Sequence, residues 1–233
     1  MKYIDSANLV LSSLYHFHSN RKYLNEDLEN NYEICQKVSR NIIKSSKVDY
    51  VIDGVENTNL DEPFLITSNH VGFFDIAVLF AAIKKPMPFA AAKELINNRI
   101  ISDYIKSINS VLIDRTTEDL KVMKEQLEAM EKAISTTGLI LFPEGECSYG
   151  EGDIKEFKKG GFIAAKKNDV AIVPTYINYE KYYRIGRLIV PKGEVRVTFD
   201  KPFKASELAD KKIKAKELAC ITRKKVLDLR NNM

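Results

Sequence analysis

The chain has 233 residues, 45% of them apolar and 29% charged. That is the composition of a globular protein long enough to bury one large core, and it excludes wholesale disorder, a collagen-like repeat and a multispanning membrane protein. The net charge of +4 comes from 36 basic and 32 acidic side chains, but residues 201–233 alone hold 10 Lys or Arg against 4 Asp or Glu. The excess therefore sits at the C-terminal end, where either a phosphate-rich partner or a solvated helix face would account for it.

Residues 1–18 place Tyr3, Ile4, Ala7, Val10, Leu11, Leu14 and Phe17 at steps of three and four, which predicts an amphipathic helix. A second is predicted from about Glu26 to Lys44, with Leu28, Ile34, Cys35, Val38 and Ile42 on one side. Residues 1–47 are thus a pair of helices that either pack on the rest of the chain or lie in a membrane interface. Residues 48–233 read as one further unit. The longest uninterrupted apolar run, Ile76 to Ile83, falls well short of the roughly 18 residues a spanning helix needs. Nothing in the first residues reads as a signal peptide.

Strands are expected at Val48–Val55, Phe64–Thr67, Met87–Ala92, Ser110–Ile113, Gly138–Phe142 and Val170–Asn178. Two more, Leu188–Val190 and Glu194–Phe199, would be joined by a hairpin around Lys192-Gly193. Helices are expected at Phe73–Ile83, Glu94–Ile105, 117–135, Gly160–Lys167 and, with a basic face, Leu208–Leu229. In the helix 117–135 the stripe Leu120, Met123, Leu127, Met130 and Ile134 reads as core, behind a capping box Thr116-x-x-Asp119. The alternation of the two element types predicts an α/β fold: a single domain with a mixed, largely parallel central sheet flanked by helices, preceded by two N-terminal amphipathic helices.

Chemistry concentrates at three strand ends. His70 and Asp75 follow an apolar strand in Thr67-Ser68-Asn69-His70-Val71-Gly72-Phe73-Phe74-Asp75. A carboxylate that accepts from one imidazole nitrogen leaves the other free as a base and stabilises the imidazolium that forms. On one continuous helix five residues rotate by about 500°, leaving the two side chains about 140° apart. They meet only if His70 lies in a loop and Asp75 in the first helical turn, with Gly72 permitting the bend. The strand Val111-Leu112-Ile113 ends in Asp114-Arg115, a guanidinium suited to phosphate or carboxylate. The strand Leu139-Ile140-Leu141 ends in Phe142-Pro143-Glu144-Gly145, placing an acid beside a glycine that admits a close neighbour.

These blocks in this order resemble the glycerolipid acyltransferase family that includes the 1-acyl-sn-glycerol-3-phosphate acyltransferases. The resemblance runs through Asn69-His70-Val71-Gly72-Phe73-Phe74-Asp75, Phe89 to Leu95, Ile113-Asp114-Arg115, Phe142-Pro143-Glu144-Gly145-Glu146-Cys147-Ser148, Glu156 to Gly161 and Ile172-Val173-Pro174, covering roughly residues 48 to 200. It implies that His70 deprotonates the acceptor hydroxyl while Asp75 holds its ring, and that the acyl thioester is attacked without a covalent acyl-enzyme. Arg115 would then bind the acceptor phosphate, Glu144 and Gly145 would shape the acceptor site, and Lys93 would stand at its rim. The partners implied are acyl-CoA or acyl carrier protein as donor, a lysolipid as acceptor, and the cytoplasmic face of a membrane on which the protein rests peripherally. No cofactor, metal ion or nucleic acid is called for.

One departure stands out. Where the family has Thr-Arg after Phe-Pro-Glu-Gly, this chain has Glu146-Cys147, an added carboxylate in place of a cation. Lys158 or Lys159 would supply compensating charge for a phosphate, and a different or non-phosphorylated acceptor is the alternative. Cys147 with His70 also has the composition of a cysteine nucleophile and its base. Cys35, Cys147 and Cys220 lie too far apart for a CxxC pair, which speaks against a disulfide framework or a cysteine zinc site. A reading from another class is a non-catalytic protein that binds lipid surfaces through its N-terminal stripes and basic end.

Overall fold

The structure is a computed structural model that describes residues 2–209 and 212–232, with side chains from Leu9 onward. Five strands form the central sheet: β1 (Asp49–Asp53), β2 (Phe64–Ser68), β5 (Leu139–Leu141), β6 (Ala171–Ile185) and β7 (Leu188–Phe199), in the order β1-β7-β6-β2-β5. β1 runs parallel to β7, and β2 runs parallel to both β5 and β6; only the β6/β7 pair is antiparallel. A second, two-stranded parallel sheet, β3 (Ala90–Ala92) and β4 (Val111–Ile113), continues past β5 through a bridge between Phe89 and Ile140.

β2 occupies the centre and all five of its residues are buried, as expected of a strand covered on both faces. Because successive side chains point to opposite faces, Phe64 and Ile66 join one apolar cluster and Leu65 the other. The first cluster lies under α2 (Leu28–Ser46), α3 (Phe74–Ala82) and α4 (Arg99–Ser107), the second under α5 (Leu120–Thr136), α6 (Gly160–Lys167) and α7 (Ala215–Asn231). The fold is thus α/β, with a mixed and mostly parallel sheet between helical layers.

The two N-terminal helices differ in what they do with their apolar faces. In α2, Ile34, Cys35, Val38 and Ile42 are all buried, together with Tyr32, whose ring meets Phe80 of α3 edge-on at 5.3 Å. α1 (Lys2–Arg21) buries Leu9 and rests Phe17 against Tyr104 at 5.0 Å, but leaves Leu11 64%, Leu14 45% and Tyr15 67% exposed. Tyr3, Ile4 and Ala7 of the expected stripe lie outside the described side chains.

Several elements depart from the sequence reading. The helix expected over Glu94–Ile105 is a 3₁₀ turn, Lys93–Asn97, followed by α4, because the Asn98 side chain accepts from the N–H groups of Ile100 and Ile101 and starts a new helix. α5 is capped by Asp119, whose side chain accepts from Lys121 N, while Thr116 bonds to Asp114 instead. Of its stripe, Met130 and Ile134 are buried, but Leu120 is 79% and Met123 51% exposed. Helical spacing reports which side of a helix is apolar, not how far the helix runs past the layer beneath it. The hairpin turns at Gly186-Arg187, between the ends of β6 and β7. Gly193, with φ of +74°, instead lies within β7 opposite the register shift between Tyr179 and Lys181. A left-handed glycine serves a bulge as well as a turn. The basic C-terminal helix begins at Ala215, after a 3₁₀ turn at Ala205–Glu207. Part of its charge is spent internally, with Lys225 3.3 Å from Asp200 and Arg230 paired to Asp153.

Candidate active site

The site forms where β2, β4 and β5 end, the edge at which open parallel sheets present their loops. After Ser68 the chain leaves β2 and turns into α3 within five residues, with Asp75 N donating to Gly72 O at 3.2 Å. Asn69 anchors this turn: its amide donates to Ile177 O at 3.0 Å, and its oxygen accepts from Ile177 N at 2.8 Å. His70 therefore sits in the loop and Asp75 in the first turn of the helix, as the spacing requires.

The Nδ1 atom of His70 lies 2.7 Å from Asp75 Oδ2. The same oxygen accepts from Val71 N at 2.7 Å and Gly72 N at 2.9 Å, and Asp75 Oδ1 accepts from the Tyr179 hydroxyl. Asp75 is fully buried, whereas 18% of the His70 side chain remains accessible. The imidazole can meet a substrate; the carboxylate acts only through it. Burial alone would lower the imidazole pKa, but the hydrogen bond to Asp75, followed by that to Cys147, outweighs it and pushes the value up to about 10. Burial likewise raises Tyr179 well above its ordinary value, with Asp75 adding to the effect, so its hydroxyl stays a donor. The His70 ring stacks on Phe142, with centroids 4.1 Å apart and planes at 16°.

Glu144 faces the protein. Its Oε1 accepts from His70 N at 2.8 Å and its Oε2 from Lys155 N at 2.9 Å. Burial raises its pKa, and these two N–H groups, Lys155 first, pull the other way. The carboxylate thus ties the loop after β5 to the loop after β2. Ser148 N donates to His70 O at 2.7 Å and Tyr149 N to Val71 O at 3.0 Å, closing the same junction from the far side. Between these anchors, Cys147 Sγ lies 3.1 Å from His70 Nε2.

The cations gather at Gly145, whose φ of +79° suits only glycine well. Arg115 donates to Gly145 O at 3.0 Å and lies 3.7 Å from Glu94. A Cβ at Gly145 would fall 2.6 Å from Lys158 Nζ, so that lysine lies directly against the turn. Lys93 pairs with Asp114 at 3.6 Å, which puts it beside Arg115 at the end of the smaller sheet. Glu146 is engaged by Lys155 at 2.9 Å; that hydrogen bond first, then Lys155, Lys158 and Arg115 as neighbouring charges, hold its carboxyl below the usual range. The structure therefore brings His70, Asp75, Glu144, Gly145, Arg115, Lys158 and Lys93 to one end of the sheets.

A family model described as Acyltransferase matches residues 49–178, a span that holds every block named above. The chain belongs to the acyltransferase family. Among relatives of this acyltransferase-family chain, the 1-acyl-sn-glycerol-3-phosphate acyltransferase LPAT1, chloroplastic, of Arabidopsis thaliana is 32% identical over 161 residues, covering 67% of this chain and 44% of that protein. The 1-acyl-sn-glycerol-3-phosphate acyltransferase of Streptococcus pneumoniae is 29% identical over 151 residues, 64% of this chain and 53% of that protein. The chain thus spans about half the length of these relatives. Among solved structures, the 1-acyl-sn-glycerophosphate acyltransferase PlsC of Thermotoga maritima superposes with a TM-score of 0.75 at 22% identity, covering 99% of this chain and 98% of that one. The whole acyltransferase-family fold, including its N-terminal helices, is shared with that structure.

Two contributors to this site had no role in the sequence reading. Tyr179 lies in β6, more than a hundred positions from Asp75. Its signal is that it lies two positions after buried Ile177, on the same face of the strand, which puts a hydroxyl inside the protein that must find a partner. Lys155 reaches the site with its backbone N–H on Glu144 and its ammonium on Glu146. It sits in an irregular segment that carries no periodic pattern.

Proposed function

We propose that the protein moves a fatty acyl group from a thioester, carried by coenzyme A or acyl carrier protein, to the free hydroxyl of a lysophospholipid, with 1-acyl-sn-glycerol-3-phosphate as the leading acceptor. The observation that carries this reading is the His70–Asp75 pair, one ring nitrogen fixed by a buried carboxylate and the ring edge left accessible. A thioester is already activated, so the demands on the protein are positioning and proton transfer. His70 in its neutral form takes the proton of the attacking hydroxyl, and Asp75 stabilises the imidazolium that results; with the ring's pKa raised to about 10, transfer should climb as pH rises toward that value. Arg115 and Lys158, held against Gly145, form the site for the acceptor phosphate.

The charge of Glu146 is met first by Lys155, and the positive charge that Arg115, 3.7 Å from Glu94, and Lys158 bring to Gly145 favours a phosphorylated acceptor over a neutral one. Lipid reaches this site from a membrane surface contacted by the exposed side chains of α1, among them Leu11, Leu14 and Tyr15. Phe73, 48% exposed beside the His70 loop, meets Phe17 of α1 at 6.2 Å and links that surface to the site. No helix among the described residues is long and apolar enough to cross a membrane, so contact is peripheral. The test is a panel of lysolipids offered with a radiolabelled acyl thioester. Label should pass preferentially to lysophosphatidic acid; transfer to an uncharged acylglycerol alone would move the acceptor assignment, and no lipid product from any acceptor would end the proposal.

A further inference from the structure

We propose that the hairpin arm formed by residues 181–192 binds the anionic headgroups of a bilayer and, together with α1, seats the His70 loop on the lipid surface. The inference rests on the acyl-transfer reading above and adds an electrostatic contact to the apolar one at α1. β2 pairs with β6 only as far as Thr175, and β1 pairs with β7 only from Glu194 onward. Beyond these points, among the described residues, β6 and β7 pair with each other alone, from Lys181 opposite Lys192 to Ile185 opposite Leu188. β6 runs parallel to β2, so its last ten residues, 176–185, carry it about 33 Å past the edge at which the site forms.

A two-stranded ribbon is marginally stable by itself in water, and this one is braced on the site. Ile189 packs at Gly72, where a Cβ would meet its side chain at 3.2 Å. The Tyr182 hydroxyl donates to Gly150 O at 2.7 Å, and Arg184 pairs with Glu151 and lies over the Tyr149 ring at 5.8 Å. Tyr149 N in turn donates to Val71 O at 3.0 Å. From the other side, Phe17 of α1 meets Phe73 at 6.2 Å, and α1 touches β7 itself. The arm and α1 thus reach consecutive residues of the loop that carries His70.

The composition of the arm indicates its partner. Lys181, Arg184, Arg187 and Lys192 stand among twelve residues that hold no Asp or Glu, in a chain with 36 basic and 32 acidic side chains. Tyr182 is 38% exposed, and Arg187 is exposed at the turn. Glu180 meets Lys181 at 2.8 Å and Glu151 meets Arg184, but exposed pairs hold weakly and a lipid phosphate competes for the same cations. Cations beside tyrosines suit a headgroup layer, with the ring at the apolar boundary and the charge among the phosphates. The acceptor and product of the proposed reaction are themselves anionic lipids, so the surface on which they gather is the one this charge attracts.

The test is co-sedimentation of the full chain with vesicles of phosphatidylcholine, alone or mixed with phosphatidylglycerol, at low and at high salt. Lys181→Gln with Arg187→Gln removes two exposed charges. At roughly fivefold per cation, affinity for the anionic vesicles should fall by about twentyfold, while binding to pure phosphatidylcholine and the melting temperature stay as in wild type. High salt should weaken wild-type binding to the anionic vesicles in the same direction. Partitioning of the variant onto anionic vesicles within about twofold of wild type would overturn the inference. So would a variant that keeps its vesicle binding but loses transfer from acyl carrier protein and not from acyl-CoA, which would assign the arm to an acidic protein instead. Sedimentation needs no turnover, so the arm can fail with the acyl-transfer reading intact; the failure of that reading is the absence of any lipid product from wild type.

Discussion

Asp75 Oδ2 accepts from three donors at once: His70 Nδ1 at 2.7 Å, Val71 N at 2.7 Å and Gly72 N at 2.9 Å. The carboxylate that orients the imidazole is therefore also what closes the turn leading into α3. Reactive geometry and local fold are one structure here, and a change at Asp75 acts on both.

Asp75→Asn replaces an acceptor with a group that must turn either its oxygen or its amide toward these donors. Acyl transfer, measured as kcat/KM, should fall by about a hundredfold or more, with a lowered melting temperature. The imidazole should lose its raised pKa, so that its NMR titration moves down from the wild-type position. Unchanged kcat/KM in this variant would show that the pair has no part in turnover.

The raised His70 value predicts how stability changes with pH. A group whose pKa is higher in the folded protein contributes stability that is fully present below the unfolded value, 6.5, and is lost as pH rises through the folded value of about 10. The difference in unfolding free energy between wild type and His70→Gln, from denaturant titrations, should shrink steadily from pH 6.5 to pH 10. A difference that stays flat or grows across that window would contradict the assignment.

Tyr179→Phe leaves Asp75 Oδ1 without its hydroxyl donor. An unsatisfied buried acceptor costs about 1–3 kcal/mol of stability. The carboxylate, less stabilised, should hold the imidazolium more firmly, so the acid limb of the pH–kcat/KM profile should move to higher pH. Tyr179 acts by positioning and charge, and a profile that keeps its midpoint would rule that role out.

Leu11 and Leu14 are exposed on α1, so Leu11→Glu with Leu14→Glu should change stability little; surface substitutions of this kind usually stay within about 0.5 kcal/mol each. Co-sedimentation with anionic vesicles should fall several-fold. Equal partitioning of variant and wild type would remove α1 from the membrane contact.

Much of this was legible in the sequence because short-range physics governs it. The alternation of apolar strands and helices pointed to the α/β arrangement of a central sheet flanked by helices, and the five-residue spacing of His70 and Asp75 required the loop-then-helix geometry that the structure adopts. What escaped depends on distance or on context. Tyr179 meets Asp75 only because β6 lies beside β2, a pairing no local pattern encodes. Gly193 looked like a turn because a left-handed glycine has the same signature in a bulge. Leu120 and Met123 looked like core because periodicity is blind to where the underlying layer stops. Glu146 looked like an obstacle to phosphate until Lys155 was found against it.

The most direct measurement is transfer of a radiolabelled acyl group to lysophosphatidic acid by His70→Ala, at matched concentration and confirmed folding. A loss of at least about a hundredfold in kcat/KM, with vesicle binding intact, is the predicted result. Transfer at the wild-type rate would contradict the account at its centre.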